Sequence, residues 1–109
     1  MALGFHRKLL NAVTTGTSTA FQLNGTGREL VLYVYGSGTI AGGTVQLEEA
    51  HDKDYTGTWA AIGSAVTVTQ DVVKVVRLTG CVGAIRARVA TNVTGGGNVS
   101  VELYNNSGE

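Results

Sequence analysis

Residues 42–50, GGTVQLEEA, alternate apolar and polar side chains in the manner of a β-strand. Val45 and Leu47 fall on one face and Gln46 and Glu48 on the other, because successive side chains of a strand point to opposite faces. The same period of two recurs in three further runs, AVTVTQ, GAIRARVA and NVSVELYN. Gly and Thr clusters separate the runs. We therefore predict an all-β fold, an antiparallel β-sandwich or a jelly-roll-like arrangement.

About eight strands are expected from these patterns, and the first is the least defined. They fall near residues 8–14, 18–23, 29–36, 43–50, 57–62, 65–70, 72–79, 83–91 and 97–104. The segment HRKLLNAV, residues 6–13, fits a short helix as well as a strand. We expect a single domain, with residues 1–15 as an N-terminal arm or first strand and residues 16–109 as the sandwich.

Two apolar runs depart from simple alternation. ELVLYVYG, residues 29–36, is apolar on both faces, which suits a central strand or a strand whose outer face meets another subunit. In DVVKVVRLTG, Lys74 and Arg77 lie three positions apart and hence on opposite faces of a regular strand. A bulge near Val75–Val76 would bring both to one side. Alternatively, one of the two cations lies at a strand end.

Charge and cysteine content narrow the function classes. The 109 residues carry 8 basic and 8 acidic side chains, without the basic stripe of a nucleic-acid-binding protein. No apolar run approaches the roughly 20 residues of a membrane span. We expect neither nucleic acid nor membrane as a partner. Cys81 is the sole cysteine, which excludes an intrachain disulfide and favours a small residue in a turn over a nucleophile.

The densest group of potential ligand and acid–base residues is HDKDYTGTW, residues 51–59. Its Asp and Gly residues favour the tip of a solvated hairpin. A calcium loop needs a later bidentate carboxylate, and a zinc site needs three or four ligands. Glu48 and Glu49 point to opposite faces of a strand and cannot act as one carboxylate pair. We expect no catalytic residue, metal site or cofactor, and hence no enzyme.

The aromatic residues have two possible roles, one in the core and one at a binding surface. Tyr33 and Tyr35 share a face, which is either a subunit contact or ordinary core. Trp59 is either a core anchor or, with Tyr55, a stacking residue for a sugar.

Arg86 and Arg88 share the outer face of their strand, and we expect cross-strand pairing with Glu102 on the next strand.

Residues 42–104 resemble small all-β virion accessory proteins of tailed bacteriophages, of the capsid decoration or cement type. The shared pattern is a GTVQLE strand, a polar turn, TW followed by IGSAVTVT, a strand carrying IRARV and a final VSVELY. The resemblance implies a virion structural protein made in the bacterial host cytoplasm, such as a decoration protein that binds the assembled phage head, or a small head or tail component. It also implies the major capsid protein or another virion protein as partner, and a homo-oligomer, with a trimer favoured over a dimer.

The expected interface combines the N-terminal segment with the tyrosine face, namely Phe5, His6, Arg7, Lys8, Tyr33 and Tyr35. The alternative is a glycan- or receptor-binding module of a tail or fibre, with Tyr55 and Trp59 stacking on the sugar. A small enzyme would instead need a deep pocket lined by perturbed acid–base residues.

Overall fold

The computed structural model describes residues 5–23, 29–79 and 83–106 and is all-β, as predicted. Its strands are β1 (Phe5–Val13), β2 (Phe21–Gln22), β3 (Glu29–Ser37), β4 (Gly42–Ala50), β5 (Ala60–Ala61), β6 (Val66–Thr67), β7 (Val73–Thr79), β8 (Ala84–Thr94) and β9 (Asn98–Asn106). In this part of the chain, no helix is long and apolar enough to cross a membrane. Cys81 lies outside the described residues.

The strands form two antiparallel sheets. The first contains four strands in the order β1-β9-β3-β7. The second contains β2-β8-β4-β5, and β6 pairs with β4 beside β5. β3 lies inside its sheet between β9 and β7, as its apolar sequence predicted for a central strand. The two sheets pack face to face, which confirms the β-sandwich.

The core lies between the sheets and follows the predicted alternation. Leu32 and Val34 of β3 meet the inward side chains of the other sheet, where Val45, Leu47 and Ile85 are almost wholly buried. Burial of this kind contributes about 1.5–3 kcal/mol for each large aliphatic side chain and supplies most of the folding free energy. With no disulfide to assist it, the fold depends on this layer.

The glycines of GGTV have a structural role at the start of β4. The pairing of β4 with β8 shifts in register between Gly42 and Thr44. Gly43 has φ +146°, and a Cβ there would lie 2.9 Å from the Cγ2 atom of Val93. Only glycine fits this conformation and this close approach, because any side chain would collide with β8.

Residues 5–13, for which a helix, a strand and an arm were all open, form strand β1 at the edge of the four-stranded sheet. β1 pairs with β9, and its register shifts between Lys8 and Leu10 and again between Leu10 and Val13. At the second irregularity Ala12 has φ 52°, and its backbone N–H donates to the Oγ of Ser100 at 3.0 Å. The side-chain hydroxyl thus binds an amide that the irregular ladder leaves available.

The bulge predicted near Val75–Val76 is wrong. β7 pairs with β3 in continuous register from Thr79 to Val73. Lys74 therefore lies opposite Val34 on the inner side, and Arg77 opposite Val31 on the outer side. Lys74 is the second residue of β7, in line with the other alternative, a cation near a strand end. An inward-pointing charge on an edge strand also disfavours further strand pairing at that edge.

Candidate interaction surface

The outer face of the four-stranded sheet carries a cluster of aromatic, aliphatic and acidic side chains. Tyr33 lies directly between Val75 of β7 and Glu102 of β9, and Tyr35 lies beside Val73. Directly opposed residues on neighbouring strands project to the same face. We call this surface the open face and define it by His6, Tyr33, Tyr35, Val73, Val75, Glu102 and Tyr104.

Glu102 is the polar centre of the open face. Its carboxylate accepts hydrogen bonds from the hydroxyl of Tyr35 and, at 3.2 Å, from the hydroxyl of Tyr104. His6 Nε2 lies 2.8 Å from the same carboxylate. The Tyr35 hydroxyl is the main reason why the pKa of Glu102 is lowered; desolvation opposes the shift and the His6 contact adds to it. The carboxylate is thus held ionised in a fixed orientation.

The rings around Glu102 contact one another. His6 stacks on Tyr104, with centroids 4.4 Å apart, and Tyr33 meets Tyr104 edge-on at 5.4 Å. Desolvation raises the pKa of Tyr104, and its bond to the Glu102 carboxylate adds to the rise. The Tyr104 phenol therefore stays protonated and continues to donate. Aromatic pairs of this geometry add about 0.5–1.5 kcal/mol beyond their buried area.

Apolar side chains beside this network remain in solvent. Val73 is 54% exposed, Val75 46% and Tyr104 38%. Single exposed apolar residues are common on protein surfaces, but a contiguous group is typical of a contact surface. The ordered rings and the exposed valines give the open face a firm, partly apolar surface suited to protein contacts.

The structure divides the predicted interface residues between two places. His6, Tyr33 and Tyr35 belong to the open face. Arg7 lines a groove at the sandwich edge, where its guanidinium lies 4.8 Å from the ring centre of Phe21. Lys8 also borders this groove, but its register opposite Glu102 places it on the same side of β1 as the open face. The side chain of Phe5 lies outside the described part of the chain. His6 and Arg7 thus project to opposite sides of β1.

Sequence reasoning missed four members of the open face, Val73, Val75, Glu102 and Tyr104. Glu102 and Tyr104 lie at outward positions of an alternating run, so a signal for their orientation was present, whereas Val73 and Val75 lie in DVVKVVRLTG, which departs from simple alternation. The sequence pattern does not predict the strand order. It is this order that brings β1, β9, β3 and β7 side by side.

The predicted pairing of Arg86 and Arg88 with Glu102 is wrong, because β8 and β9 belong to different sheets. Both arginines instead donate through Nε to Glu48 on β4, at 2.9 Å and 3.0 Å. Glu48 is only 6% exposed although it lies on the outer face of its sheet. We call this second surface the covered face and define it by Glu48, Trp59, Arg86 and Arg88.

Trp59 covers the ion pairs of this second surface. Its ring lies 4.3 Å from the Arg86 guanidinium carbon, and its indole N–H donates to the backbone carbonyl of Tyr55 at 3.0 Å. Trp59 is 5% exposed, whereas Tyr55 is 40% exposed. The two rings proposed for sugar stacking therefore differ in accessibility. The Tyr55 ring is exposed, whereas a sugar could reach the Trp59 ring only if Arg86 moved.

The loop after β4 is organised by its own hydrogen bonds. The Asp52 carboxylate accepts the backbone N–H of Asp54 at 2.8 Å, and the Asp52 carbonyl accepts that of Tyr55 at 3.1 Å. Lys53 N–H donates to the Gln22 side chain at 2.9 Å. These contacts are those of a polar hairpin turn. Within residues 5–23, 29–79 and 83–106, no three His, Cys, Asp or Glu side chains are close enough to share a metal ion.

Comparison with solved structures gives a match over nearly the whole chain. YomS, a protein derived from the SPBc2 prophage, superposes with a TM-score of 0.71 and 19% identity, over 98% of this chain and 96% of that chain. The chain has the fold of a prophage-derived protein. The resemblance to small all-β phage proteins, predicted from residues 42–104, is confirmed at the level of the fold.

Two further structures are similar at lower scores. A protein of Bacillus endospore appendages has a TM-score of 0.49 and 8% identity over 95% of this chain and 88% of that chain. A chain of the cyanophage Pam1 capsid has a TM-score of 0.44 and 16% identity, over 96% of this chain and 85% of that chain. No family model matches the sequence, and no curated protein does.

Proposed function

We propose that this chain is a non-enzymatic structural protein of a phage virion, a capsid decoration or cement protein that binds the assembled head. The observation that carries the proposal is the open face, where ordered tyrosines adjoin exposed valines on one side of the sandwich. The fold shared with a prophage-derived protein supports a phage origin. The virion head is the proposed location, after synthesis in the bacterial cytoplasm.

A decoration protein needs no chemical step. It binds a surface that exists only when capsid subunits are assembled, and it stabilises that state by mass action. The partner in this proposal is the major capsid protein or a neighbouring virion protein. Val73, Val75 and Tyr104 supply apolar area for the contact, and the ionised Glu102 carboxylate would select a partner with a donor opposite it.

Self-association is the second part of the proposal. The resemblance to decoration proteins favours a homotrimer over a dimer, and the open face is the surface available for contacts with other copies or with the capsid. Tyrosine-rich surfaces suit such interfaces because a rigid ring combines apolar area with a polar hydroxyl.

The test compares two tyrosines that are nearly equally exposed. Tyr104 is 38% exposed on the open face, and Tyr55 is 40% exposed on the loop after β4. Tyr104→Ser, Tyr55→Ser and the unmodified chain are mixed with heads assembled from the capsid protein of the encoding phage, and with unassembled capsid protein. Co-sedimentation measures binding, and native mass spectrometry measures the oligomeric state.

We expect the unmodified chain and Tyr55→Ser to sediment with heads and not to bind free subunits. Tyr104→Ser should bind about tenfold or more weakly, the loss typical of a central aromatic interface residue. Equal binding by the two variants would remove the open face from the proposal. Failure of the unmodified chain to bind heads would refute the decoration function.

A further inference from the structure

A groove of about 450 Å³ lies at one edge of the sandwich, between β1 and β2. β1 is an edge strand of one sheet and β2 an edge strand of the other. The loop after β4 closes the groove through Lys53. Side chains of mixed type line it, among them Arg7, Lys8, Thr19, Phe21, Gln22 and Lys53.

Arg7 has no carboxylate within ion-pair distance among the described residues. Its guanidinium is held 4.8 Å from the ring centre of Phe21. A guanidinium stacked in this way keeps its in-plane N–H donors available, because the ring occupies only its face. The planar fork of donors matches the two oxygens of a carboxylate.

Lys53 adds a second charge. Its Nζ lies 3.2 Å from an Asp54 oxygen, and both side chains are largely in solvent. An exposed pair of this kind contributes at most about 1 kcal/mol, so the ammonium can exchange Asp54 for another anion at little cost. The backbone N–H of Lys53 donates to Gln22 Oε1, which ties the loop to β2 and keeps Lys53 beside the groove.

Among the described residues that line the groove there is no Asp or Glu, and the nearest acidic partner is Asp54, which pairs with Lys53. Positive charge is therefore concentrated locally on a neutral protein. A concave site with an available guanidinium, a lysine and an aromatic wall is suited to an anion that also carries an apolar stem.

We propose that this groove binds glutamate- or aspartate-bearing segments of a partner polypeptide. A polypeptide is favoured over nucleic acid because the cations occupy one small groove and do not form a stripe that could follow a phosphate backbone. Arg7, Phe21 and Lys53 are not members of the open face, and the inference does not depend on the proposed decoration function.

The experiment measures binding of a fluorescein-labelled hexaglutamate peptide by anisotropy at low ionic strength. The double variant Arg7→Gln/Lys53→Gln removes two of the three cations that line the groove and leaves Lys8 in place. Arg77→Gln is the matched control, because Arg77 is an exposed cation on β7, at the opposite edge of the four-stranded sheet from β1. Circular dichroism melts of all variants show whether the fold is kept.

We expect the double variant to weaken peptide binding about tenfold and the Arg77→Gln control to change it less than about twofold, as for specific charge-assisted contacts. Arg7→Lys, which keeps the charge without the planar fork, should give an intermediate loss. Equal losses in the double variant and the control, or no binding by the unmodified chain, would overturn the proposal. So would tighter binding of a thymidine heptanucleotide, which carries six phosphates.

Discussion

The two outer faces of this sandwich each hold a carboxylate at their centre, but the chain treats them differently. On the covered face Glu48 lies between two arginines, and the loop that follows β4 places Trp59 against one of them, Arg86. On the open face Glu102 is bound by two phenols and a histidine, and the valines beside it stay exposed. The chain thus buries the covered face with its own side chains, whereas the apolar side chains of the open face remain in solvent.

The difference shows where the chain can gain by association. Covering an apolar surface releases about 25 cal/mol for each Å² removed from water, and on the covered face Trp59 already provides this gain. The open face can obtain it only from another molecule. Rigid rings bound to Glu102 lower the ordering cost of such a contact, because fewer rotamers are lost on binding.

The largest effect is expected from uncovering the covered face. Trp59→Ala should lower the free energy of unfolding by about 3 kcal/mol, near the lower end for a buried tryptophan, because the ring packs over a sheet and not inside the main core. Urea unfolding followed by circular dichroism measures the loss. Tyr55→Ala, a truncation of the neighbouring exposed ring, should cost less than about 1 kcal/mol. Similar losses for both would mean that Trp59 does not cover the face.

A somewhat smaller effect is expected from Glu48, the carboxylate that pairs with Arg86. Glu48→Gln leaves two arginines without a counter-charge and should cost about 2 kcal/mol, less than a fully buried pair because Arg88 is partly in solvent. Glu49→Gln changes the next residue, which makes no ion pair among the described residues, and should cost less than about 0.5 kcal/mol. Comparable urea midpoints for the two variants would show that the ion pairs contribute little.

The sequence alone predicted the alternation within strands but not the partners of each strand. Val45, Leu47, Val99 and Val101 are buried as expected, because burial on a two-sided strand is a local property of period two. The partner of Arg86 was assigned wrongly, since the next strand along the chain lies in the other sheet. The position of Trp59 over Arg86 also depends on a long-range contact, and no local pattern contains it.

On the open face, acid should affect Glu102 in a defined window. Its pKa is lowered in the folded chain, so the unfolded chain binds the proton more readily, and stability is lost as the pH falls below the ordinary value of 4.5. Between about pH 5 and pH 3 the gap in stability between the unmodified chain and Glu102→Gln should narrow. Urea midpoints across this range measure it, and the effect should be smaller than that of Glu48→Gln.

Tyr35→Phe tests the cause of that dependence. The Tyr35 hydroxyl is the main contributor to the lowered pKa of Glu102, so its removal should make the acid dependence resemble that of Glu102→Gln. If Tyr35→Phe instead keeps the full acid dependence of the unmodified chain, the bond between Tyr35 and Glu102 does not stabilise the ionised carboxylate.

The smallest change in stability is expected where the open face meets water. Val75→Thr replaces an exposed methyl by a hydroxyl on a β-branched side chain and should change the free energy of unfolding by less than about 0.5 kcal/mol. Val45→Thr makes the same replacement in the core, where Val45 is fully buried, and should cost about 1–3 kcal/mol. Both are measured by urea unfolding at a concentration low enough to keep the protein monomeric. At higher concentration Val75→Thr should weaken self-association, because the apolar surface of Val75 contributes only when a second molecule covers it. The stability of the single chain should not depend on Val75. A loss for Val75→Thr as large as that for Val45→Thr would mean that the chain itself already covers this face.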